Sequence, residues 1–168
     1  MTPRTLVLLR HGKSAYPAGV PDHDRPLAGR GRIQAGLAGE HIRTVVDRFD
    51  LVLCSTSTRT RQTLDATGLH AAGVEYRDEI YAAEPDEILD LIRVVPDHVT
   101  SLLVVGHSPG VPDLADELAG PGSAPEALAA LDEKFPTSAF AVVTTDGPWS
   151  DLSDEARLVS VTVPRDHP

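Results

Sequence analysis

Two segments of the chain share one pattern: Leu6-Val7-Leu8-Leu9-Arg10-His11-Gly12 and Leu102-Leu103-Val104-Val105-Gly106-His107-Ser108. In each stretch a short, wholly apolar run precedes a histidine, and such a run is typical of a strand buried in the middle of a sheet. Open α/β sheets bind ligands at the carboxyl ends of their strands. We therefore expect His11 and His107 to meet at one sheet edge, where Arg10 indicates an anionic substrate.

The composition is that of an ordinary globular protein. With 168 residues, of which 41% are apolar, the chain predicts a single domain over residues 1–168. It has no apolar run near 18 residues, so we expect no membrane span, and its first residues lack the pattern of a secretory signal. A single cysteine, Cys54, excludes an internal disulfide and fits a cytoplasmic location.

The net charge of −10 is unevenly distributed. Residues 1–62 hold ten Lys and Arg against five Asp and Glu, whereas residues 63–168 hold five against twenty. An acidic chain repels the phosphates of nucleic acids, so we expect no nucleic-acid partner. The arginines of the first part must then have local roles.

Strands and helices alternate along the chain. This order predicts an α/β fold, a three-layer αβα sandwich with a mostly parallel central sheet and helices on both faces. On the helix at residues 28–48, Ile33, Leu37, Ile42, Val45 and Phe49 recur at helical spacing. The predicted strands are residues 4–9, 50–54, 74–77, 101–105, 140–144 and 158–163. Three of the predicted helices are residues 28–48, 58–71 and 126–132. Pro85 opens another helix, and a further one reaches about residue 119, with Ser108 as its N-cap and Pro109 as its first residue.

Four residues lie where strands end or helices begin: Arg10, His11, Arg59 and His107. Arginine suits phosphate because its planar guanidinium donates two parallel hydrogen bonds. Neighbouring arginines should lower the pKa of His11, since like charges disfavour imidazolium, and neutral imidazole can attack phosphorus to form a covalent phosphohistidine. We assign His11 as the nucleophile and His107 as a charged or hydrogen-bonding clamp. We expect no metal or other cofactor, because arginines repel cations and no third ligand stands at metal-site spacing.

Six segments carry a resemblance to a known family and span roughly residues 5–163 in the expected order. They are Leu8-Leu9-Arg10-His11-Gly12-Lys13-Ser14, Asp24-Arg25-Pro26-Leu27-Ala28-Gly29-Arg30-Gly31, Ser55 to Thr63, Ile80-Tyr81-Ala82-Ala83, Val104-Val105-Gly106-His107-Ser108-Pro109-Gly110 and Lys134-Phe135-Pro136-Thr137. They resemble the histidine phosphatase superfamily, with its phosphoglycerate mutase-like fold, and within it the SixA-like phosphohistidine phosphatase branch. The resemblance implies that His11 is the nucleophile and that Arg10, Arg59 and His107 bind phosphate.

The same resemblance implies weaker roles for Ser14 and Arg25 in substrate binding. Their alternatives are structural: Ser14 caps a turn, and Arg25 forms an ion pair with Asp22 or Asp24. The chain departs from the SixA-like pattern at Gly12, where that pattern often has Ala, and at Thr56, where it often has Pro.

The proton donor distinguishes the possible substrates. An alkoxide leaving group needs a general acid, for which Asp78, Glu79 and Glu84 are candidates. Asp78 and Glu79 are also explained as surface residues, and Glu84 as a helix-start carboxylate favoured by the helix dipole. An imidazole leaving group is less basic and needs no such acid. The resemblance favours phosphohistidine on a protein as substrate. The alternatives are a small phosphorylated metabolite with Glu84 as acid, and a non-catalytic module that binds phosphorylated ligands.

Overall fold

The computed structural model describes residues 3–165, and its strands end close to where the sequence predicts. Within these residues the strands are β1 (Arg4–Arg10), β2 (Arg48–Phe49), β3 (Leu51–Ser55), β4 (His70–Ala71), β5 (Val74–Arg77), β6 (Ser101–Gly106), β7 (Phe140–Thr145) and β8 (Arg157–Thr162). The helices are α1 (Gly29–Arg43), α2 (Thr58–Thr67), α3 (Pro85–Arg93), α4 (Gly110–Leu118) and α5 (Pro125–Glu133). None of the helices in the described part is long and apolar enough to cross a bilayer.

Six strands form the central sheet in the order β5-β3-β6-β1-β7-β8. The first four are parallel to one another, whereas β7 runs antiparallel to both β1 and β8. Strands β2 and β4 pair separately as a short parallel ribbon. The prediction of an α/β fold with a mostly parallel sheet is confirmed.

Alternate side chains of the central strands reach opposite faces of the sheet, and both faces are covered. Leu6 and Leu8 of β1 belong to a buried cluster with α3, α4 and α5, whereas Val7 and Leu9 belong to a second cluster with α1 and α2. A strand buried on both faces is apolar throughout, because successive side chains alternate between them. The predicted three-layer arrangement is therefore also confirmed.

The register of the central strands brings the segments that follow β1, β3 and β6 to the same edge of the sheet. Arg10 of β1 pairs with Gly106 of β6, and the backbone N–H of His11 donates to the Gly106 carbonyl at 3.0 Å. On the other side of β6, Cys54 of β3 pairs with Val105. The segments that follow β1, β3 and β6 consequently start side by side.

Helix α1 differs most from the prediction. It ends at Arg43, not residue 48, and two of the predicted apolar positions are exposed: Ile33 by 60% and Val45 by 48%. Its buried residues are mostly small: Gly31, Ala35, Ala38, Gly39 and Ile42. Small side chains let α1 approach α2 closely, and this packing outweighs the periodicity of the larger apolar residues.

Two further helix ends were predicted wrongly. Helix α2 stops at Thr67, not at residue 71, because Gly68 takes the left-handed conformation (φ 67°) that commonly ends helices. Helix α4 begins at Gly110 with Pro109 as its N-cap residue, one residue later than the predicted Ser108 cap.

We predict that Gly39→Ala destabilises the protein by about 3 kcal/mol, because the added Cβ would lie 2.1 Å from the Thr67 carbonyl oxygen and push α1 away from α2. Gly36→Ala, one turn earlier, is the matched control. Its Cβ would meet only the Ala66 carbonyl oxygen at 3.6 Å, so we expect a gain of roughly 0.5–1 kcal/mol from helix propensity. Urea denaturation measures both, and equal effects would contradict the close approach of the two helices.

Candidate active site

His11 is held as one defined tautomer. Its Nδ1 lies 2.7 Å from the carbonyl oxygen of Gly12, and a carbonyl only accepts hydrogen bonds, so Nδ1 carries the proton. The pKa of His11 is lowered to about 4, chiefly by burial and to a smaller extent by the positive charges of Arg59 and Arg10, although the hydrogen bond to Gly12 opposes the shift. At neutral pH the ring is therefore neutral, with an unprotonated Nε2. The predicted lowering is confirmed, but burial, not the arginines, is its largest cause.

The loop after His11 is hydrogen-bonded to helix α2. The Gly12 N–H donates to Thr63 Oγ1 at 2.9 Å, and this hydroxyl donates to the Arg59 carbonyl at 2.7 Å. On the other side, the Ser138 N–H donates to the His11 carbonyl at 3.0 Å. These bonds fix the backbone whose carbonyl orients the His11 ring.

His107 follows β6 and lies beside His11, with 5.2 Å between the ring centroids. Its Nε2 is 2.9 Å from the hydroxyl oxygen of Ser55, at the end of β3. Burial lowers the pKa of His107 to about 3, with smaller contributions from His11 and Arg59. At neutral pH His107 is thus a hydrogen-bonding group, and the charged form of the predicted clamp is not favoured.

Arg59 projects from the first turn of α2, which Ser57 caps by accepting the Thr60 N–H. Only 8% of its side chain is exposed. Its Nη1 donates to the Asp22 carbonyl at 2.7 Å, and its Nη2 donates to Asp22 Oδ2 at 3.1 Å. Because its charge lowers the pKa of both histidines, Arg59 shares their local environment.

Arg10 ends β1 and donates from Nη1 to the carbonyl of Phe135 at 2.9 Å. Burial lowers the pKa of Arg10, and its positive charge acts on His11 and His107. The structure thus brings together all four residues to which the sequence assigns the main chemistry. Within residues 3–165, no group of three or more His, Cys, Asp or Glu side chains is arranged to hold a metal ion.

Ser14 and Arg25 contact each other, since Arg25 Nη2 donates to the Ser14 hydroxyl oxygen. The Arg25 guanidinium also pairs with Asp22 at 3.2 Å and lies 3.9 Å above the Tyr16 ring. Its charge contributes to the lowered pKa of His11. Arg25 therefore forms the ion pair expected of a loop-ordering residue, and its charge also reaches His11.

Comparisons with known proteins identify the family of this chain. Residues 6–81 match the histidine phosphatase superfamily (branch 1). An uncharacterized protein of Mycobacterium tuberculosis is 48% identical over 159 residues, which are 94% of this chain and 100% of that protein. A structure from Nakamurella multipartitia, named as a candidate phosphohistidine phosphatase SixA, is 41% identical, with a TM-score of 0.87 over 98% of both chains. The protein histidine phosphatase SixA complexed with tungstate is 27% identical, with a TM-score of 0.76 over 95% of this chain and 97% of that one.

This chain belongs to the histidine phosphatase superfamily, in its SixA-like branch. It is therefore a phosphatase.

Two residues of this phosphatase's site were not predicted as such. The Tyr81 hydroxyl donates to Asp22 Oδ2, and the Tyr81 ring packs edge-on against His107 with 5.5 Å between centroids. The Tyr81 hydrogen bond is the largest cause of a lowered Asp22 pKa, and Arg59 adds to it. Tyr81 lies in a segment that carries the family resemblance, which is a usable signal. The sequence indicates Asp22 only as an ion-pair partner of Arg25.

His23 also lies beside the site, although no motif in the sequence assigns it a partner. Its Nε2 lies 3.0 Å from Thr56 Oγ1, and its ring packs edge-on against Tyr81 at 4.8 Å. The Thr56 hydroxyl donates to the Asp78 carboxylate. Thr56 is one of the positions at which the SixA-like phosphatases often differ from this chain, so its hydroxyl adds a contact here that Pro would lack.

Glu84 is exposed and is the N-cap residue of α3. It takes part in a capping box, in which its N–H donates to Glu87 Oε1 at 2.9 Å. This environment corresponds to the structural interpretation of Glu84 given by the sequence, that of a carboxylate at a helix start.

We predict that the buried histidines make this phosphatase less stable as the pH falls. The pKa of His107 is about 3 in the folded protein, against 6.5 for an ordinary histidine, so below pH 6.5 the unfolded chain binds a proton that the folded chain excludes. In His107→Asn, the free energy of unfolding should therefore fall by about 1.4 kcal/mol less for each pH unit below 6.5 than it does in the wild type.

Urea denaturation of both proteins at neutral and mildly acidic pH measures the difference in slope. His41→Asn, at an exposed position on α1, is the control and should keep the wild-type slope. An unchanged slope in His107→Asn would contradict the lowered pKa.

Proposed function

We propose that this phosphatase removes the phosphoryl group from phosphohistidine in proteins, through a covalent phosphoryl intermediate on His11. The observation that carries the proposal is the unprotonated Nε2 of a neutral, buried His11 among Arg10, Arg59 and His107. A neutral imidazole is a nucleophile, and fixed cations with hydrogen-bond donors stabilise the charge of a phosphoryl group in transfer.

In the first step, the lone pair of His11 Nε2 attacks phosphorus and forms a new N–P bond. The bond between phosphorus and the substrate imidazole breaks, and its electron pair stays on that imidazole, which takes a proton from solvent. Arg10 and Arg59 hold the phosphoryl oxygens as cations, and His107 holds them by hydrogen bonding. The Nδ1 proton shared with Gly12 stabilises the positive charge that develops on the attacking ring.

In the second step, a water oxygen attacks the phosphorus of the intermediate. The N–P bond breaks, its electron pair returns to Nε2, and a water proton passes to solvent as inorganic phosphate forms. His11 is restored in its starting state.

Three observations support phosphohistidine as the substrate. The neighbouring structures carry the name of a phosphohistidine phosphatase. Only a 3-10 turn at Asp78–Ile80 and four residues separate β5 from α3, so this segment has no long insertion that would cover a small substrate. An imidazole leaving group needs no carboxylic acid, and Glu84 caps α3. Without such an insertion, the site can admit a side chain presented on a protein.

We predict that His11→Asn lowers the turnover of a phosphohistidine peptide by more than about 10³-fold, because the attacking nitrogen is lost. The wild type, stopped with alkali during turnover, should gain the mass of one phosphoryl group on the peptide that contains His11. His41→Asn serves as the matched control and should keep the wild-type rate.

A His11→Asn protein as active as the wild type would overturn the assignment of the nucleophile. A wild type that binds the phosphopeptide without turning it over would exclude phosphohistidine as the substrate.

We predict that Glu84→Gln changes the turnover of phosphohistidine peptide by less than about twofold, because no general acid is needed for this leaving group. Glu87→Gln disturbs the same capping box and controls for effects on α3. The measurement compares phosphohistidine peptide with an alkyl phosphate for both variants. A selective loss of alkyl phosphate hydrolysis in Glu84→Gln alone would support the phosphomonoester alternative.

A further inference from the structure

The Asp22 carboxylate lies among the cationic groups of the active site. Arg59 donates to its Oδ2 at 3.1 Å, Arg25 pairs with its Oδ1 at 3.2 Å, and the Tyr81 hydroxyl donates to Oδ2. These contacts come from α2, from the loop that leads to α1, and from the segment after β5. Asp22 is 55% exposed, so its position is set by these three partners and not by burial.

The donors that hold Asp22 are of the kind that a phosphoryl group needs. Guanidinium groups and hydroxyls bind carboxylate and phosphoryl oxygens through the same geometry. Asp22 is ionised at neutral pH, since the pKa of Asp22 is lowered, chiefly by Tyr81 and then by Arg59. Its negative charge also reaches His107, whose pKa it raises against the effect of burial. A phosphoryl group held by His107 would therefore experience the same charge.

We propose that Asp22 is a specificity-determining residue, a resident anion that weakens the hold of the site on inorganic phosphate and on substrates with a second negative charge next to the phosphoryl group. The inference rests on the proposed function, because it takes phosphohistidine as the substrate. The phosphate product must either share Arg59 with the Asp22 carboxylate or displace that carboxylate from Arg59. Either event lowers the affinity of the site for phosphate. A neutral or cationic imidazole leaving group meets no such repulsion.

The same carboxylate discriminates between classes of phosphorylated compound. A phosphomonoester with a neighbouring carboxylate or second phosphate places two negative groups near Asp22 and is disfavoured by Coulomb repulsion. When the phosphoryl group is attached to the nitrogen of a basic side chain, the group placed near Asp22 is that side chain, which is neutral or positively charged. Selection against the wrong substrate by like charge is an established route to specificity.

Titration calorimetry with inorganic phosphate tests the proposal at low ionic strength. Asp22→Asn keeps an oxygen that can accept from Tyr81 or Arg59 and removes only the charge, so we expect phosphate to bind about tenfold more tightly. The gain should shrink at high ionic strength, because Asp22 is exposed. Asp22→Glu keeps the charge and should bind phosphate within about twofold of the wild type.

Asp24→Asn is the matched control. It makes the same change in net charge on the same 3-10 turn, but the Asp24 carboxylate faces His23 Nδ1 at 3.6 Å. It should leave phosphate affinity within about twofold of the wild type.

Unchanged or weaker phosphate binding in Asp22→Asn would overturn the proposal, and weaker binding would assign Asp22 a purely structural role. Equal tightening in Asp24→Asn would overturn it as well, because net charge alone would then explain the effect. The measurement needs no turnover, so its result is independent of whether phosphohistidine is the substrate.

Discussion

The hydrogen bond between His11 Nδ1 and the Gly12 carbonyl is the interaction on which the chemistry of this site depends. Because a carbonyl accepts only, the bond determines which ring nitrogen is protonated and leaves Nε2 with its lone pair. Burial then keeps the ring neutral, with a pKa of about 4. Both conditions are needed, since a protonated ring or the other tautomer would present no nucleophile at Nε2.

The fold provides these conditions through the register of three parallel strands. Strands β1, β6 and β3 lie side by side, so the segments after them meet although they are far apart in sequence. Contacts among these segments then fix the geometry: Thr63 holds the Gly12 N–H, and Ser55 contacts His107. The position of α2 matters for the nucleophile and for phosphate binding, because Thr63 and Arg59 both belong to it. The small-residue packing of α1 on α2 is thus connected to the geometry of the nucleophile.

The sequence predicts the parts of this arrangement that depend on local patterns. Apolar runs before His11 and His107 mark the central strands, and the motif around Arg59 marks the start of α2. The extent of α1 could not be predicted in the same way, since its buried face consists mostly of glycine and alanine, which a search for apolar periodicity overlooks. The contact of Asp22 with Tyr81 depends on tertiary structure alone, because the two residues are 59 positions apart and neither residue type indicates the other.

The active site of this phosphatase combines positive charges with a negative one. Arg10, Arg25 and Arg59 act together on His11, in a protein whose net charge is −10. A pocket with cations alone would bind the phosphate product as firmly as the substrate, and slow release of the product would then limit turnover. The Asp22 carboxylate lies on the same guanidinium groups that would hold the phosphoryl oxygens. An anion at this position opposes the product, whose charge is fully developed, more strongly than a phosphoryl group attached to a cationic imidazole.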